Sequence, residues 1–360
     1  MRRRYLVLAA CAGVLLSTAL GASAGNGVRV TRVGGGVSPT TGRAWVVKLA
    51  VRPRSFHGSV QVVATGPRRL TVRARGGHGS YQARFVFPRS GVWKLTARVG
   101  GSRSRLGSVR VRAARLVFDE PTGIAAAPGG SLLVVEFARQ RLVRVSAAGH
   151  VTLVAKLTKP WGVAQAPSGA IFASDLGWLK RIDPGKAPTI IATAPPGIEI
   201  GPIAVLPNGD VVYSTAFGLY RLPGGVAGTP QQLAPQISLS SPHGLAVASN
   251  GTLLLSDTGN NVIRRIDPTT GVASIFASVA NPRGIDVSQD GTVYVAAADE
   301  HRIVRFSAAG QRLGAIGPLF ADPYALTLAA DGTVYAIEPG ALGYIRRIAP
   351  NGTSSVVTGP

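Results

Sequence analysis

One cysteine, Cys11, is all the thiol in this 360-residue chain. It sits in an N-terminal segment expected to be removed, so neither disulfides nor thiolate chemistry serve the mature protein, and its stability has to come from packing. Charged residues are scarce at 15%, which leaves few windows able to form a charged amphipathic helix. Histidine is rare too: His150, His243 and His301 are the three beyond residue 113, too few in register for a multi-histidine zinc centre. No Gly-x-Ser-x-Gly motif is present, and no Ser/His/Asp set can be picked out from spacing. Beyond Leu20 no apolar run is long enough to span a bilayer. What is abundant is Gly (46) and Pro (25), the currency of short strands joined by tight turns.

The first 24 residues read as an export signal. Arg2 to Arg4 are basic, Tyr5 to Leu20 apolar, and Ala22-Ser23-Ala24 supplies the small residues a signal peptidase accepts. A retained anchor is the alternative, the run being near the short limit for spanning. Leu8-Ala9-Ala10-Cys11 imitates a lipoprotein box, but too few apolar residues precede it. The expected location is secreted or cell-envelope associated, outside the cytoplasm.

Acid is missing altogether from residues 25–113, which hold 18 basic residues, whereas residues 114–360 carry all 16 acids and 18 bases. The boundary near Ala113 is therefore a step in charge. A segment this basic is attracted to polyanions, so an anionic cell-surface polymer or lipid is a possible partner of residues 26–113, with no specific nucleic acid. Arginine outnumbers lysine throughout, as codon bias alone would produce, so the charge by itself names no partner.

Strand-like runs recur through this segment: Val28–Val33, Ala44–Val51, Ser59–Val63, Leu70–Ala74, Tyr81–Phe87, Val92–Val99 and Ser108–Val111. Trp45, Val47, Leu49 and Val51 alternate with Val46, Lys48 and Ala50, giving one apolar face. Seven such strands predict an immunoglobulin-like β-sandwich over 26–113. Trp45 and Trp93 are expected in its core.

From residue 114 to 360 the chain repeats. Gly130, Gly169, Gly209, Gly251, Gly291 and Gly332 recur 39 to 42 residues apart. Seven residues before them stand Gly123, Gly162, Pro202, Gly244, Gly284 and Ala325. Six residues after them stand Glu136, Asp175, Thr215, Asp257, Ala297 and Glu338. Arg144, Arg181, Arg221, Arg265, Arg305 and Arg347 mark the third strand and read as packing elements. Repeats of this length holding four strands are propeller blades, so the fold class is all-β: a six-bladed β-propeller behind the sandwich. Pro242-His243-Gly244-Leu245-Ala246-Val247, Asn250-Gly251-Thr252, Leu255-Ser256-Asp257-Thr258-Gly259-Asn260-Asn261 and Arg265-Ile266-Asp267-Pro268 closely resemble an NHL repeat. The third repeat departs, with Ile200-Gly201-Pro202 and Thr215.

The resemblance implies that lead-in loops and second-strand exits open on one channel mouth. The expected ligand residues are Trp161, His243, Arg283 and Tyr324 from the lead-ins, with Glu136, Asp175, Asp257 and Glu338 from the exits. NHL-type propellers are mostly recognition platforms, so the expectation leans away from an enzyme, toward binding of a protein, peptide, glycan or small polar ligand. The alternative is a metal-dependent hydrolase or lyase like the gluconolactonases. Those relatives hold a divalent cation with a Glu, two Asn and an Asp. The two Asn have no match in this chain, so no cofactor is expected, calcium being the possible exception.

Overall fold

A computed structural model describes residues 28–35, 38–114, 116–340 and 343–359, so the export signal expected at residues 1–24 lies outside the described residues. The described residues divide into two compact units, one ending at Ala114 and the other running to Gly359. Among the described residues no helix is long and apolar enough to cross a membrane.

The first unit contains β1 (Arg29–Gly35), β2 (Ala44–Arg52), β3 (Gln61–Thr65), β4 (Arg69–Arg73), β5 (Arg75–Gly77), β6 (Ser80–Val86), β7 (Gly91–Val99) and β8 (Ser102–Val111). These form two four-stranded antiparallel sheets, ordered β1-β2-β6-β5 and β4-β3-β7-β8. Short β5, where the sequence suggests a Gly76-Gly77 turn, pairs back on β6 through both glycines. Alternation sends Trp45, Val47, Leu49 and Val51 of β2, and Trp93, Leu95 and Ala97 of β7, into a shared core. Phe87 lies between the two tryptophans, its ring centroid 5.9 Å from Trp45 and 5.0 Å from Trp93.

In the second unit, six four-stranded antiparallel sheets follow one another among the described residues. Their inner strands are Pro121–Ala127, Pro160–Gln165, Ile200–Val205, Gly244–Val247, Pro282–Val287 and Leu326–Leu328. Each inner strand lies beside the next, and the last lies beside the first, so the sheets surround a common axis. Closure is a packing event: Val134 and Val143 of the first sheet share a core with Ile337 and Ile345 of the sixth. The chain leading in adds a clasp, with Phe118 donating its backbone N–H to the carbonyl of Gly343 at 2.8 Å.

The repeat marks have physical causes. All six turn glycines take φ between 67° and 89°, a region costly for side chains. The small residues seven positions earlier sit where inner strands crowd together. A Cβ on Gly244 would lie 2.3 Å from the Arg283 carbonyl oxygen, and one on Gly123 would lie 2.5 Å from that of Trp161. Three of the marker arginines brace neighbouring sheets, while Arg144 and Arg347 bond Ser131 and Thr333 of their own. Arg181, Arg221 and Arg265 donate to the carbonyls of Gly225, Pro268 and Ala308, each in the following sheet. Asn250-Gly251-Thr252 is a hairpin turn in which the Asn250 side chain accepts from the Thr252 N–H.

This crowding yields a direct test. Gly244→Ala forces two backbones apart and should cost about 2 kcal/mol, lowering the melting temperature by roughly 4–8 °C. Gly228→Ala, whose Cβ meets nothing nearer than 3.9 Å, is the neutral control in a thermal melt.

Candidate functional site

Every exit position is the last residue of a second strand, and the chemistry there is internal. Glu136 accepts from the Asp119 N–H, from Arg139 and from Arg141. Asp175 accepts from the backbone N–H groups of Thr158 and Lys159 and from Lys180 at 2.6 Å. Asp257 takes the Ser240 N–H at 2.8 Å, Asn260 and Arg264. Glu338 takes Tyr344 and Arg346. All four carboxylates are buried.

Lys180, Arg264 and Arg346 stand immediately before the marker arginines of their third strands. In the third and fifth sheets, where Thr215 and Ala297 replace the acid, that place holds neutral Tyr220 and Val304. Acid and base are absent together in those two sheets, whereas in the first sheet neutral Val143 holds that place and Arg139 and Arg141 answer Glu136 instead. The structure thus places Glu136, Asp175, Asp257 and Glu338, expected to bind ligand, in hydrogen bonds and ion pairs with residues of their own sheets and lead-in loops.

The same finding decides the fit to a divalent cation. A hard cation needs several free oxygen donors converging on one point. Among the described residues no group of three or more His, Cys, Asp or Glu side chains is placed to hold a metal ion. The residues present do not fit the cation that the gluconolactonase resemblance implies, and no chemical step is derived through one.

The lead-in residues behave differently. Trp161, His243 and Tyr324 come from the second, fourth and sixth sheets, and their rings meet over the axis. Centroids are 5.5 Å apart for Trp161 and His243, 6.1 Å for Trp161 and Tyr324, and 5.8 Å for His243 and Tyr324. Arg283 lies over the Tyr324 ring at 5.2 Å and pairs with Asp322 at 2.8 Å. Thr122 instead donates to the Pro160 carbonyl. Beneath the rings a cavity of about 60 Å³ is lined by Ile124, Val163, Ile203, Leu245, Ile285 and Leu326. The aromatic triangle thus caps a small central cavity.

Beside it opens a cavity of about 430 Å³, walled by Trp161 and His243 on one flank and by Ile198, Glu199, Thr215 and Phe217 on the others. Phe217 is 70% exposed, an unusual setting for a large aromatic. This cavity belongs to the third repeat, the one that departs from the pattern. Glu199 and Phe217 escaped the sequence reading because they lie in loops outside the repeat offsets. The signal that pointed to them was the third repeat's missing acid.

His243 is the cavity's titratable group with a defined proton. Its Nδ1 is 2.8 Å from the Ser241 carbonyl oxygen, which can only accept. Nδ1 therefore carries the hydrogen, leaving Nε2 as the basic atom. Burial, more than the positive Arg283 nearby, pulls the imidazole below its ordinary value, against the opposing pull of the Ser241 hydrogen bond. Burial also pushes Tyr324 up to about 12, so its hydroxyl keeps its proton at neutral pH.

With this geometry established, the comparisons place the fold. The NHL repeat model matches residues 239–266. No curated protein matches the chain. A structural-genomics protein of unknown function from Bacteroides thetaiotaomicron is 16% identical, with a TM-score of 0.57 over 91% of this chain and 98% of its own. That span is too long to lie within either unit alone. A gluconolactonase from Xanthomonas campestris is 18% identical, with a TM-score of 0.56 over 65% of this chain and 87% of its own. Virginiamycin B lyase from Staphylococcus aureus is 18% identical, with a TM-score of 0.55 over 68% of this chain and 87% of its own. A catalytically inactive form of that lyase, with one histidine changed to alanine, has been solved with quinupristin. The fold is that of the NHL and gluconolactonase-type β-propellers. The expectation leaning away from an enzyme is overturned: structures sharing the fold include a gluconolactonase, a lyase and a luciferin-regenerating enzyme.

The structural role of the exit acids is testable. Asp257→Ala leaves Arg264, 18% exposed, without its carboxylate and should cost about 3–5 kcal/mol in a denaturant melt. His243→Ala, at a half-buried position of the mouth, should change stability by no more than about 1 kcal/mol.

Proposed function

We propose that this chain is an exported two-domain enzyme, with an immunoglobulin-like sandwich at residues 26–113 and a six-bladed propeller at 114–360, which opens ester or lactone bonds in the cavity beside the propeller axis. The observation that carries the reading is His243: a neutral imidazole with Nδ1 tied to a carbonyl and Nε2 free at the cavity wall. Gluconolactonase and lyase relatives of the same fold support the reaction class, and the histidine-to-alanine lyase variant supports a histidine at its centre. The export signal and the extracytoplasmic location rest on the N-terminal pattern alone.

Hydrolysis and elimination begin with the same act. In hydrolysis Nε2 takes a proton from the water that attacks the acyl carbon and returns it to the alkoxide oxygen as the C–O bond breaks. In elimination it takes a proton from the carbon adjacent to the one bearing the ester oxygen, a C=C bond forms, the carboxylate departs as its anion, and the imidazolium releases the proton to solvent. Arg283 places a fixed positive charge beside this base, favouring the negative charge that develops as the bond opens. Trp161, Ile198 and Phe217 supply an apolar wall for the substrate's carbon skeleton.

The test is a panel of aliphatic and aromatic lactones and esters assayed with a chelator present. Turnover is expected with chelator, and His243→Ala should lower it by about 100-fold or more. The base must be neutral to act, and its folded value lies below 6.5, so activity should persist as pH falls past 6.5 and decline only below it. Arg283→Gln removes a repelling charge and should move that acid limb upward. Turnover untouched by His243→Ala, or absent across the panel, ends the proposal.

A further inference from the structure

The outer face of the sheet β4-β3-β7-β8 carries an array of cations that nothing in its own unit neutralises. Alternation points Arg69 and Arg73 of β4, Lys94 and Arg98 of β7, and Arg103, Arg105 and Arg110 of β8 away from the core. Six are exposed and Arg98 is half-buried. Residues 25–113 contain no acid, so no carboxylate from this unit answers them. The register aligns like with like: Arg98 stands directly opposite Arg103, and Gln61 on β3 lies between Arg73 and Arg98. Like charges directly opposite on adjacent strands repel. Burial, then Arg103 and Arg69, hold Arg98 below the ordinary arginine value, and its Nε has no hydrogen-bond partner among the described residues. An array of exposed guanidinium and ammonium groups that repels itself is complementary to anions delivered from outside.

The shape of the array selects among anions. Four strands and the rows between Arg98 and Val92 span about 15 by 20 Å, a two-dimensional field with no cleft along one line. Reading a single-stranded nucleic acid needs aromatic platforms for stacking. Here Trp45, Tyr81, Phe85, Phe87 and Trp93 are all buried in the core. Arginine forks suit phosphate oxygens. We propose that this sheet face docks on a membrane surface bearing anionic phospholipid headgroups. It holds the first unit against the bilayer through guanidinium–phosphate contacts, without inserting.

The full chain is mixed with vesicles of phosphatidylglycerol and phosphatidylcholine, or of phosphatidylcholine alone, at about 50 mM and about 500 mM salt, and co-sedimentation is measured. Anionic vesicles should bind about tenfold or more tightly than neutral ones, and high salt should erase the difference. The triple variant Arg103→Gln, Arg105→Gln, Arg110→Gln should weaken anionic binding by about 100-fold, at roughly fivefold per residue, with an unchanged or higher melting temperature. Lys48→Gln, Arg52→Gln, Arg84→Gln on the other sheet should leave binding within about threefold of the parent. Equal losses in the two triple variants would reduce the effect to net charge and overturn the proposal. So would the absence of vesicle binding alongside tight binding of soluble polyphosphate, which would make the partner a free polymer instead.

Discussion

Everything in the second unit depends on six inner strands being squeezed around one axis. At four of the six meeting points that crowding requires glycine, as the 2.3 Å approach at Gly244 and the 2.5 Å approach at Gly123 show, and the other two carry Pro202 and Ala325. The residue just before each small one therefore emerges at the mouth. Trp161 precedes Gly162, His243 precedes Gly244, Arg283 precedes Gly284 and Tyr324 precedes Ala325. One steric requirement both closes the ring and gathers unlike side chains from distant parts of the chain. The aromatic triangle follows from closure, because rings from alternate sheets can reach one another only when the last sheet packs on the first.

This explains which parts of the molecule were legible beforehand. Offsets of fixed length survive only if strands hold register, so turn glycines, inner-strand glycines and second-strand exits could be read directly from spacing. The positions of Trp161, His243 and Tyr324 followed from the same offsets. The partners of the exit acids did not, because the turn between second and third strands varies in length and moves the cation relative to the glycine marker. Lys180 lies 11 residues after Gly169, whereas Arg264 lies 13 after Gly251 and Arg346 lies 14 after Gly332. Each still stands opposite the residue two before its acid, at Ala173, Leu255 and Ala336. In the first sheet Arg141 faces Glu136 directly, so the place before the marker arginine is neutral Val143. Loop residues such as Glu199 and Phe217 carry no period and were beyond reach.

The repeat that breaks the pattern makes the site. A full set of acid and cation in the third sheet would fill the space near Thr215 with an ion pair of the kind Asp175 makes with Lys180. With Thr215, whose Oγ1 accepts from the nearby Phe217 N–H, the space beside it is empty enough to form the cavity. Tyr213 and Tyr220 stack at 5.5 Å in the same sheet, replacing electrostatic bracing by an aromatic contact. Stability and site formation are thus divided among repeats: those that keep the pair hold the ring, and one that lost it opens a pocket.

That division also sets the electrostatics of the mouth. The four exit carboxylates are each answered within hydrogen-bonding distance, so little of their field reaches the axis. What remains beside the cavity is the Arg283 guanidinium, partly shared with Asp322, the Glu199 carboxylate paired with Lys159, and a His243 imidazole whose proton affinity burial lowers. A site with these groups is poor at binding hard cations and well suited to removing a proton while stabilising the anion left behind. The chemistry open to this propeller therefore follows less from the exit acids that make its repeats recognisable than from their neutralisation, which leaves the His243 imidazole with the Arg283 guanidinium beside it to act.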